Sequence, residues 1–328
     1  MKKLFDLLDP TSYPSRNLKQ RSEKDTDPQP FIQWVGGKRQ LISRYEQFFP
    51  EKYGNYYEPF AGGAAIFYWQ YNKFAEDKEY FLSDMNQELV ITYNVIKQQP
   101  EDLIEILKVL NEKHSKQFYY DIRNIDRQSV GEKKYKKLFS IVEEIDPVSI
   151  AARFIYLNKT CFNGIYRVSG DGTFNVPIGK TLSKNVCNEE KILSASRALK
   201  NVTITHEPYE NVLEKASEGD LVFFDPPYEP ISETSSFTSY TTGGFTFEDQ
   251  IKLKQIFDSL VQKGCNVLLS NSNSEKIIEL YSDYRIEQFE VNRNLNSKAD
   301  KRKNSAVEVL VIGKKEKKAL HSTVEVLS

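Results

Sequence analysis

The stretch Leu221-Val222-Phe223-Phe224-Asp225-Pro226-Pro227-Tyr228 decides the fold class and points to the chemistry. Its four apolar residues predict a strand that is buried on both faces. Ligands of open parallel sheets bind beyond the carboxyl ends of the strands, which is where Asp225 falls. Two prolines of fixed φ and an aromatic ring then form a rigid acceptor beside a flat stacking surface. This arrangement suits a planar base with an exocyclic amine, although Asp-Pro is also ordinary turn chemistry.

Strands alternate with helical patterns along most of the chain. Further strands are expected at 56–60, 80–83, 202–205 and 266–270, with a terminal hairpin of 285–291 and 307–312. Helices are expected near 41, at 64–71, at about 189–199 and at 247–261. This alternation predicts a doubly wound, Rossmann-like α/β sheet.

The middle of the chain breaks the alternation. Helical patterns at 102–114, 133–144 and 148–157 occur with hardly any strand, so 101–187 is predicted to be an inserted domain. Residues 158–184, rich in Gly, Asn, Ser and aromatic residues, predict a structured loop or hairpin. The remaining 31–100 and 188–318 would form one discontinuous domain, and the Pro-rich, charged 1–30 a tail or surface arm.

The composition excludes several classes of protein. The 328 residues carry a net charge of −1, and no apolar run approaches the length of a membrane span. Three scattered cysteines and three distant histidines show no metal or disulfide spacing, so we expect no metal site and a reducing cytoplasm. Basic residues concentrate in 151–184 and 293–318. Each of these stretches either forms a solvated face or contacts phosphate.

A glycine turn and an acid form the second constellation. Phe60-Ala61-Gly62-Gly63 joins a predicted strand to a helix, and Asp84 ends the next strand, 21 residues after Gly63. An acid there accepts ribose hydroxyls in nucleotide-binding folds. Because the G-x-G-x-x-G fingerprint is absent, a nucleoside cofactor without a pyrophosphate fits better. The alternative is an unliganded turn with Asp84 as a helix cap.

The segment Trp34-Val35-Gly36-Gly37-Lys38 precedes a predicted helix. It is reminiscent of a phosphate loop, but the Walker spacing is missing. The alternative is that Lys38 meets a carboxylate while Trp34 packs on the cofactor.

Six motifs occur in a telling order: FIQWVGGK at 31–38, EPFAGG at 58–63, LSDMN at 82–86, NGIYR at 163–167, FNVP at 174–177 and DPPY at 225–228. This order resembles the Dam-type bacterial DNA adenine-N6 methyltransferases, in particular the GATC-modifying branch, over residues 31–312. The resemblance implies an S-adenosylmethionine domain, an inserted, mainly helical target-recognition domain and base flipping in double-stranded DNA. It also implies a cytoplasmic, nucleoid-associated enzyme, acting alone or beside a restriction endonuclease for the same site.

The resemblance also assigns residues by position. It implies that the cofactor contacts are Trp34, Lys38, Phe60, Gly62, Asp84 and Asp225, and that the catalytic segment is Asp225, Pro226, Pro227 and Tyr228. The implied DNA contacts are Phe162, which fills the gap left by the extruded base, Asn163, the guanine reader Arg167, Asn175 and Pro177 on the thymine-reading loop, and the phosphate contact Lys180. Close relatives in that family carry a lysine at the position of Gln33, where it helps to read the first guanine, and Arg-Tyr at the position of Lys180-Thr181. Both differences weaken the expected recognition of the outer base pair.

Three other functions compete with this interpretation. An RNA adenine-N6 methyltransferase or a protein-glutamine methyltransferase uses a similar site, but the long insertion between Gly63 and Asp225 favours a duplex reader. A DNA-binding module without catalysis is disfavoured because Asp84, Asp225 and Tyr228 are intact.

Overall fold

The computed structural model describes residues 27–74, 78–127, 146–169, 172–180, 185–230, 245–292 and 305–314. Its strands are β1 Tyr56–Glu58, β2 Tyr80–Ser83, β3 Val202–Thr205, β4 Leu221–Phe224, β5 Asn266–Ser272, β6 Arg285–Asn292 and β7 Ser305–Gly313. They form one sheet in the order β3-β2-β1-β4-β5-β7-β6. Strands β1 to β5 are parallel, and β7 runs antiparallel to both β5 and β6. The predicted α/β sheet and its terminal hairpin are therefore confirmed.

The described helices are α1 Ile42–Tyr45, α2 Ala65–Phe74, α3 Gln87–Gln98, α4 Pro100–Glu112, α5 Lys116–Arg123, α6 Pro147–Thr160, α7 Glu189–Leu199, α8 Val212–Lys215, α9 Phe247–Lys263 and α10 Glu275–Leu280. The sequence did not predict α3, α5, α8 or α10. The predicted helix at 133–144, most of the 1–30 arm and the basic stretch at 293–303 lie outside the described residues. None of the helices seen here is long and apolar enough to cross a membrane.

The sheet is buried on both faces, which explains the wholly apolar β4. Leu221 and Phe223 pack into one hydrophobic cluster with α2, α3, α4, α6 and α7. Val222 and Phe224 pack into a second cluster with α8, α9 and α10. Because α4 and α6 share the first cluster with the sheet, the described part of the insertion and the sheet have one continuous core. The boundaries of a separate recognition domain stay a prediction.

Helix α9 begins and ends at clear local signals. The Thr246 hydroxyl accepts the Asp249 N–H, and the Asp249 carboxylate accepts the Thr246 N–H at 2.9 Å, which is a capping box. The helix ends at Gly264, whose φ of 92° favours glycine. These caps fix the position of Gln250, which lies one helical turn from the start of α9. Gln250 supports the site described next.

Candidate active site

Asp225 leaves the carboxyl end of β4 and meets a lysine from the start of the chain. Lys38 Nζ lies 2.8 Å from Asp225 Oδ1, and the lysine side chain is 3% exposed against 22% for the aspartate. The same ammonium donates to the Gly36 carbonyl at 2.6 Å, across a turn in which Gly36 has a φ of 80°. The interpretation in which Lys38 meets a carboxylate is thus confirmed. The ion pair fixes the Asp225 side chain, which stays partly exposed at the end of the strand.

Two residues that the sequence did not indicate complete the surroundings of Asp225. Ser270 Oγ, on β5, donates to Asp225 Oδ1 at 2.7 Å. Glu308, on β7, accepts the Tyr228 hydroxyl at 2.8 Å and lies 3.8 Å from Lys38 Nζ. Burial, with the charges of Asp225 and Glu308, raises the pKa of Tyr228 well above its ordinary value, so its hydroxyl stays a donor. The Lys38 ammonium lies 4.8 Å from the centre of the Tyr228 ring.

Buried amides hold the backbone after Asp225. Gln250 Nε2 donates to the Pro227 carbonyl at 2.9 Å, and Asn271 Nδ2 donates to Gln250 Oε1 at 3.0 Å. Asn271 Oδ1 in turn accepts the Glu229 N–H at 3.2 Å. Both amide side chains are fully buried, so the segment rests on a satisfied polar network that limits its movement.

The glycine turn and Asp84 come together as predicted, because β1 and β2 are neighbours. Asp84 Oδ2 accepts the Gly62 N–H at 2.9 Å, and Oδ1 accepts the Asn86 N–H at 2.8 Å. Burial raises the pKa of Asp84, although these hydrogen bonds counteract the shift. Each oxygen keeps a lone pair, so the carboxylate suits the hydroxyls of a ribose.

The turn leaves no room for a side chain at Gly62. Its φ is 46°, and a Cβ there would lie 2.6 Å from Trp34 Nε1. The Trp34 ring stacks on Tyr166 with centroids 6.0 Å apart, while the Phe60 ring stacks on Tyr209 at 5.1 Å. Trp34 therefore joins the glycine turn to the inserted region. Direct contact of Trp34, Lys38 or Phe60 with a cofactor stays a prediction.

Residues 161–169 and 172–180 lie within the stretch 158–184, for which the sequence predicted a structured loop or hairpin, and they pair as the two arms of a hairpin-like segment. Bridges join Cys161 to Ile178 and Val168 to Phe174. The segment brings the predicted DNA contacts together in pairs: the Phe162 N–H donates to the Pro177 carbonyl at 2.9 Å, and Arg167 Nε donates to Asn175 Oδ1 at 2.7 Å. The exposed members of the set are Asn163, Arg167, Pro177 and Lys180, while Phe162 and Asn175 are half-buried. Thr181 lies outside the described residues.

A buried asparagine of α6 ties this hairpin to the start of the domain. Asn158 Oδ1 accepts the Gln33 N–H at 3.0 Å, and Asn158 Nδ2 donates to the carbonyls of Gln33 at 2.8 Å and Gly164 at 3.1 Å. The exposed Gln33 side chain lies against Gly164. Gln33 is thus held beside the predicted DNA contacts, and sequence reasoning gave no signal for Asn158.

A buried ion cluster supports the inner side of the hairpin. Arg153 contacts Asp126 at 2.7 Å and Glu88 at 3.4 Å, and all three are at least 94% buried. Tyr166 donates to Glu88 at 3.0 Å, and the Phe174 N–H donates to Asp126 at 2.9 Å. The hairpin is therefore fixed to the helices from both of its arms.

Residues 34–295 match the sequence profile of the D12 class N6 adenine-specific DNA methyltransferases, a range that holds the glycine turn, Asp84, the hairpin and Asp225. The chain belongs to this family. Relatives include the type II methyltransferase M1.LlaDCHI of Lactococcus lactis subsp. cremoris, 40% identical over 83% of this chain and 91% of that protein. The type II methyltransferase M.MjaIII of Methanocaldococcus jannaschii is 38% identical over 86% and 98%, and the DNA adenine methylase of Escherichia coli K12 is 29% identical over 83% and 91%.

Membership defines the enzyme class. The D12-class chain is an adenine-specific DNA methyltransferase, and its family implies a methyl donor of the S-adenosylmethionine type. The site fits such a donor, because Asp84 and the glycine turn at Gly62 lie at the carboxyl ends of β2 and β1, beside the end of β4 that carries Asp225.

Proposed function

We propose that this D12-class enzyme methylates adenine N6 within GATC in double-stranded DNA, with Asp225 to Tyr228 as its catalytic segment. The observation that carries the proposal is the position of Asp225, held by Lys38 and Ser270 at the end of β4. On the same sheet edge, Asp84 and Gly62 lie at the ends of β2 and β1. One edge thus offers a nucleoside site and an acceptor for an amine side by side.

The nucleoside site would hold S-adenosylmethionine, with Asp84 accepting the ribose hydroxyls and Gly62, Trp34 and Phe60 enclosing the rest. When bound, this donor supplies an electrophilic methyl group on a sulfonium. Lys38 contributes by holding Asp225 in place, in addition to the cofactor contact that the motif implies.

The exocyclic amine of adenine is a weak nucleophile, because its lone pair is delocalised into the ring. The Asp225 carboxylate and the Pro226 carbonyl would accept its two N–H groups and direct the lone pair at the methyl carbon. Gln250 holds this backbone in place by donating to the Pro227 carbonyl, the next one along the segment. As the N–C bond forms, the bond between the methyl carbon and the donor sulfur would break, and Asp225 would stabilise the positive charge that develops on nitrogen. The methylated amine would then release one proton to solvent. Alignment of the two reactants lowers the barrier further.

The target base must leave the duplex, at a cost of a few kcal/mol. Tyr228 would stack on the extruded adenine, since its ring is held by Glu308 and Lys38. Phe162 would fill the gap in the duplex, since its backbone is fixed to Pro177 at the base of the hairpin.

The exposed edge of the hairpin would read the sequence. Arg167 uses Nε to bind Asn175, which leaves its two terminal nitrogens for a bidentate contact to guanine. Asn163, Asn175 and Pro177 line the same edge, and Lys180 would contact phosphate. Gln33 lies beside Gly164 where a lysine would read the first guanine, so we propose a weaker preference at that outer base pair.

Mapping of N6-methyladenine on a plasmid that the purified enzyme has methylated tests this proposal. We expect modification at GATC in the wild type and none with Asp225→Ala, a loss of about 10²–10³-fold or more for one preorganised polar partner. Modification of RNA or of a glutamine side chain instead, or normal turnover in Asp225→Ala, would refute the mechanism.

Two of the relatives are named type II methyltransferases, so we propose that this enzyme acts in the cytoplasm, on nucleoid DNA, beside a restriction endonuclease for the same site. Expression in cells that carry a GATC-cleaving endonuclease blocked by adenine methylation tests it. Survival with the wild type and death with Asp225→Ala are expected.

A further inference from the structure

Glu308 reaches the catalytic segment from a distant part of the chain. It lies on β7, opposite Ser272 of β5, and is 7% exposed. Its Oε2 accepts the Tyr228 hydroxyl at 2.8 Å. A buried carboxylate is costly unless it is paired and hydrogen-bonded, so its presence behind the target-base site calls for a reason.

We propose that Glu308 is a positioning residue that fixes the Tyr228 ring as one wall of the target-base pocket. The inference rests on the proposed function of the Asp225 to Tyr228 segment. The prolines fix the backbone before Tyr228, but they leave the two side-chain torsions of the tyrosine free. A charge-assisted hydrogen bond at the far end of the ring removes that freedom.

A role in balancing the charge of Lys38 is the competing explanation. The Lys38 ammonium already has Gly36 O at 2.6 Å and Asp225 Oδ1 at 2.8 Å, whereas Glu308 Oε2 is 3.8 Å away. The tyrosine hydroxyl is the nearer of the two groups to Glu308. The distances therefore favour Tyr228 as the group that Glu308 serves.

Four variants separate these explanations: Glu308→Ala, Glu308→Gln, Tyr228→Phe and the double variant Glu308→Ala/Tyr228→Phe. We expect Glu308→Ala to lower kcat by about 10- to 100-fold, the range for a lost hydrogen bond to a charged group, with the KM for the methyl donor little changed. Glu308→Gln should keep most of the activity, because its amide oxygen still accepts the hydroxyl. Tyr228→Phe should resemble Glu308→Ala, and the double variant should be no worse than either single one.

A second measurement follows the base directly. With a duplex that carries 2-aminopurine at the target adenine, stacking on Tyr228 changes the fluorescence, and we expect Glu308→Ala and Tyr228→Phe to alter that signal alike while Glu308→Gln preserves it. Thermal unfolding of each variant identifies misfolding, and Glu290→Ala, an exposed glutamate on the adjacent β6, is the matched control.

Several outcomes would overturn the inference. These are additive losses in the double variant, a Glu308→Gln variant as impaired as Glu308→Ala while folded, or an unchanged kcat and fluorescence in Glu308→Ala. The proposed function fails separately, if the wild type does not methylate adenine or if Asp225→Ala remains active. An active wild type with an inactive Asp225→Ala and a normal Glu308→Ala would reject the role of Glu308 alone.

Discussion

Lys38 and Asp225 form a buried ion pair, with Nζ and Oδ1 2.8 Å apart, although they lie in different halves of the chain. Removal of one partner of a buried pair leaves the other charge uncompensated. Lys38→Met should therefore lower stability, toward the lower end of about 3–5 kcal/mol because Asp225 is partly exposed, and should also abolish methyl transfer. Urea unfolding and turnover measure both effects. Lys38→Arg is the control, and equal stability of Lys38→Met and the wild type would contradict the role of the pair.

Asp84 should govern donor binding and not DNA binding. Its carboxylate accepts two backbone N–H groups at the glycine turn, away from the hairpin. We expect Asp84→Ala to weaken the affinity for S-adenosylmethionine more than the affinity for duplex DNA. Calorimetric titration compares the two, and an unchanged donor affinity would remove Asp84 from the cofactor site.

Glu58 predicts a pH dependence of stability. It is buried at the end of β1, where it accepts the Tyr56 hydroxyl at 2.7 Å and the Phe67 N–H at 3.0 Å. Burial raises its pKa from 4.5 to about 8. The folded state therefore holds this proton more tightly than the unfolded state, so its stabilising contribution is complete below pH 4.5 and is lost as the pH rises through about 8.

The Glu58→Gln variant tests this dependence, because it keeps an oxygen acceptor without the titration. As the pH rises from 4.5 to about 8, the variant should gain stability relative to the wild type. The gain should be about 1.4 kcal/mol for each pH step of one within that range. Urea midpoints across the range provide the comparison. A constant difference between the two proteins at all pH values would show that Glu58 does not titrate there.

Substitution of Arg167 should lower sequence discrimination, whereas substitution of Lys180 should lower the affinity for DNA of any sequence. A bidentate arginine–guanine contact is worth about 1–3 kcal/mol of discrimination, so Arg167→Ala should methylate sites altered at the guanine of GATC relatively better. Lys180→Ala should weaken all sites alike and flatten the salt dependence. Asn175→Ala should show a milder form of the Arg167 effect, because Asn175 holds the Arg167 Nε. Equal loss on GATC and its single-base variants would make Arg167 a residue that only positions DNA.

Substitution of Gln33 should increase the sequence specificity. Its backbone is locked by Asn158, and its exposed side chain lies against Gly164 of the hairpin. Gln33→Lys should sharpen the preference for the first guanine, since lysine is a guanine-binding side chain. The ratio of methylation rates on GATC and AATC duplexes measures it. The Asn158→Ala variant should lower that ratio, because it frees the Gln33 backbone.

The parts of the fold that the sequence predicted rest on local signals. Residues 221–228 carry both the apolar run and the turn chemistry, and α7 matches its predicted bounds, Glu189–Leu199. Helix α3 was missed because its Leu89-Val90-Ile91-Thr92 run is rich in β-branched residues that favour strands, although Asn86 caps it. Tertiary packing against α6 and α7 overrides that preference.

The unpredicted site residues act across the chain. The contacts of Ser270 with Asp225 and of Glu308 with Tyr228 exist only because the sheet order places β5 beside β4 and β7 beside β5. The contact of Asn158 with Gln33 exists because α6 packs near the start of the domain. A serine and a glutamate within strands carry no local mark of function. Arg153, Glu88 and Asp126 were missed for the same reason, since a buried ion cluster looks like scattered surface charge until the helices are packed.

The continuous core of the inserted helices and the sheet restricts how this enzyme could acquire a new target sequence. Excision of residues 101–187 would strip the apolar faces of α4 and α6 from the rest of the protein, so exchange of the whole insertion between relatives would damage the scaffold. The hairpin is different, because its ends meet at the bridge between Cys161 and Ile178. Its exposed positions Asn163, Arg167 and Pro177 can be exchanged while its buried residues keep it anchored to the helices. Diversification at these surface positions leaves the anchoring contacts and the sheet edge that carries Asp225 in place.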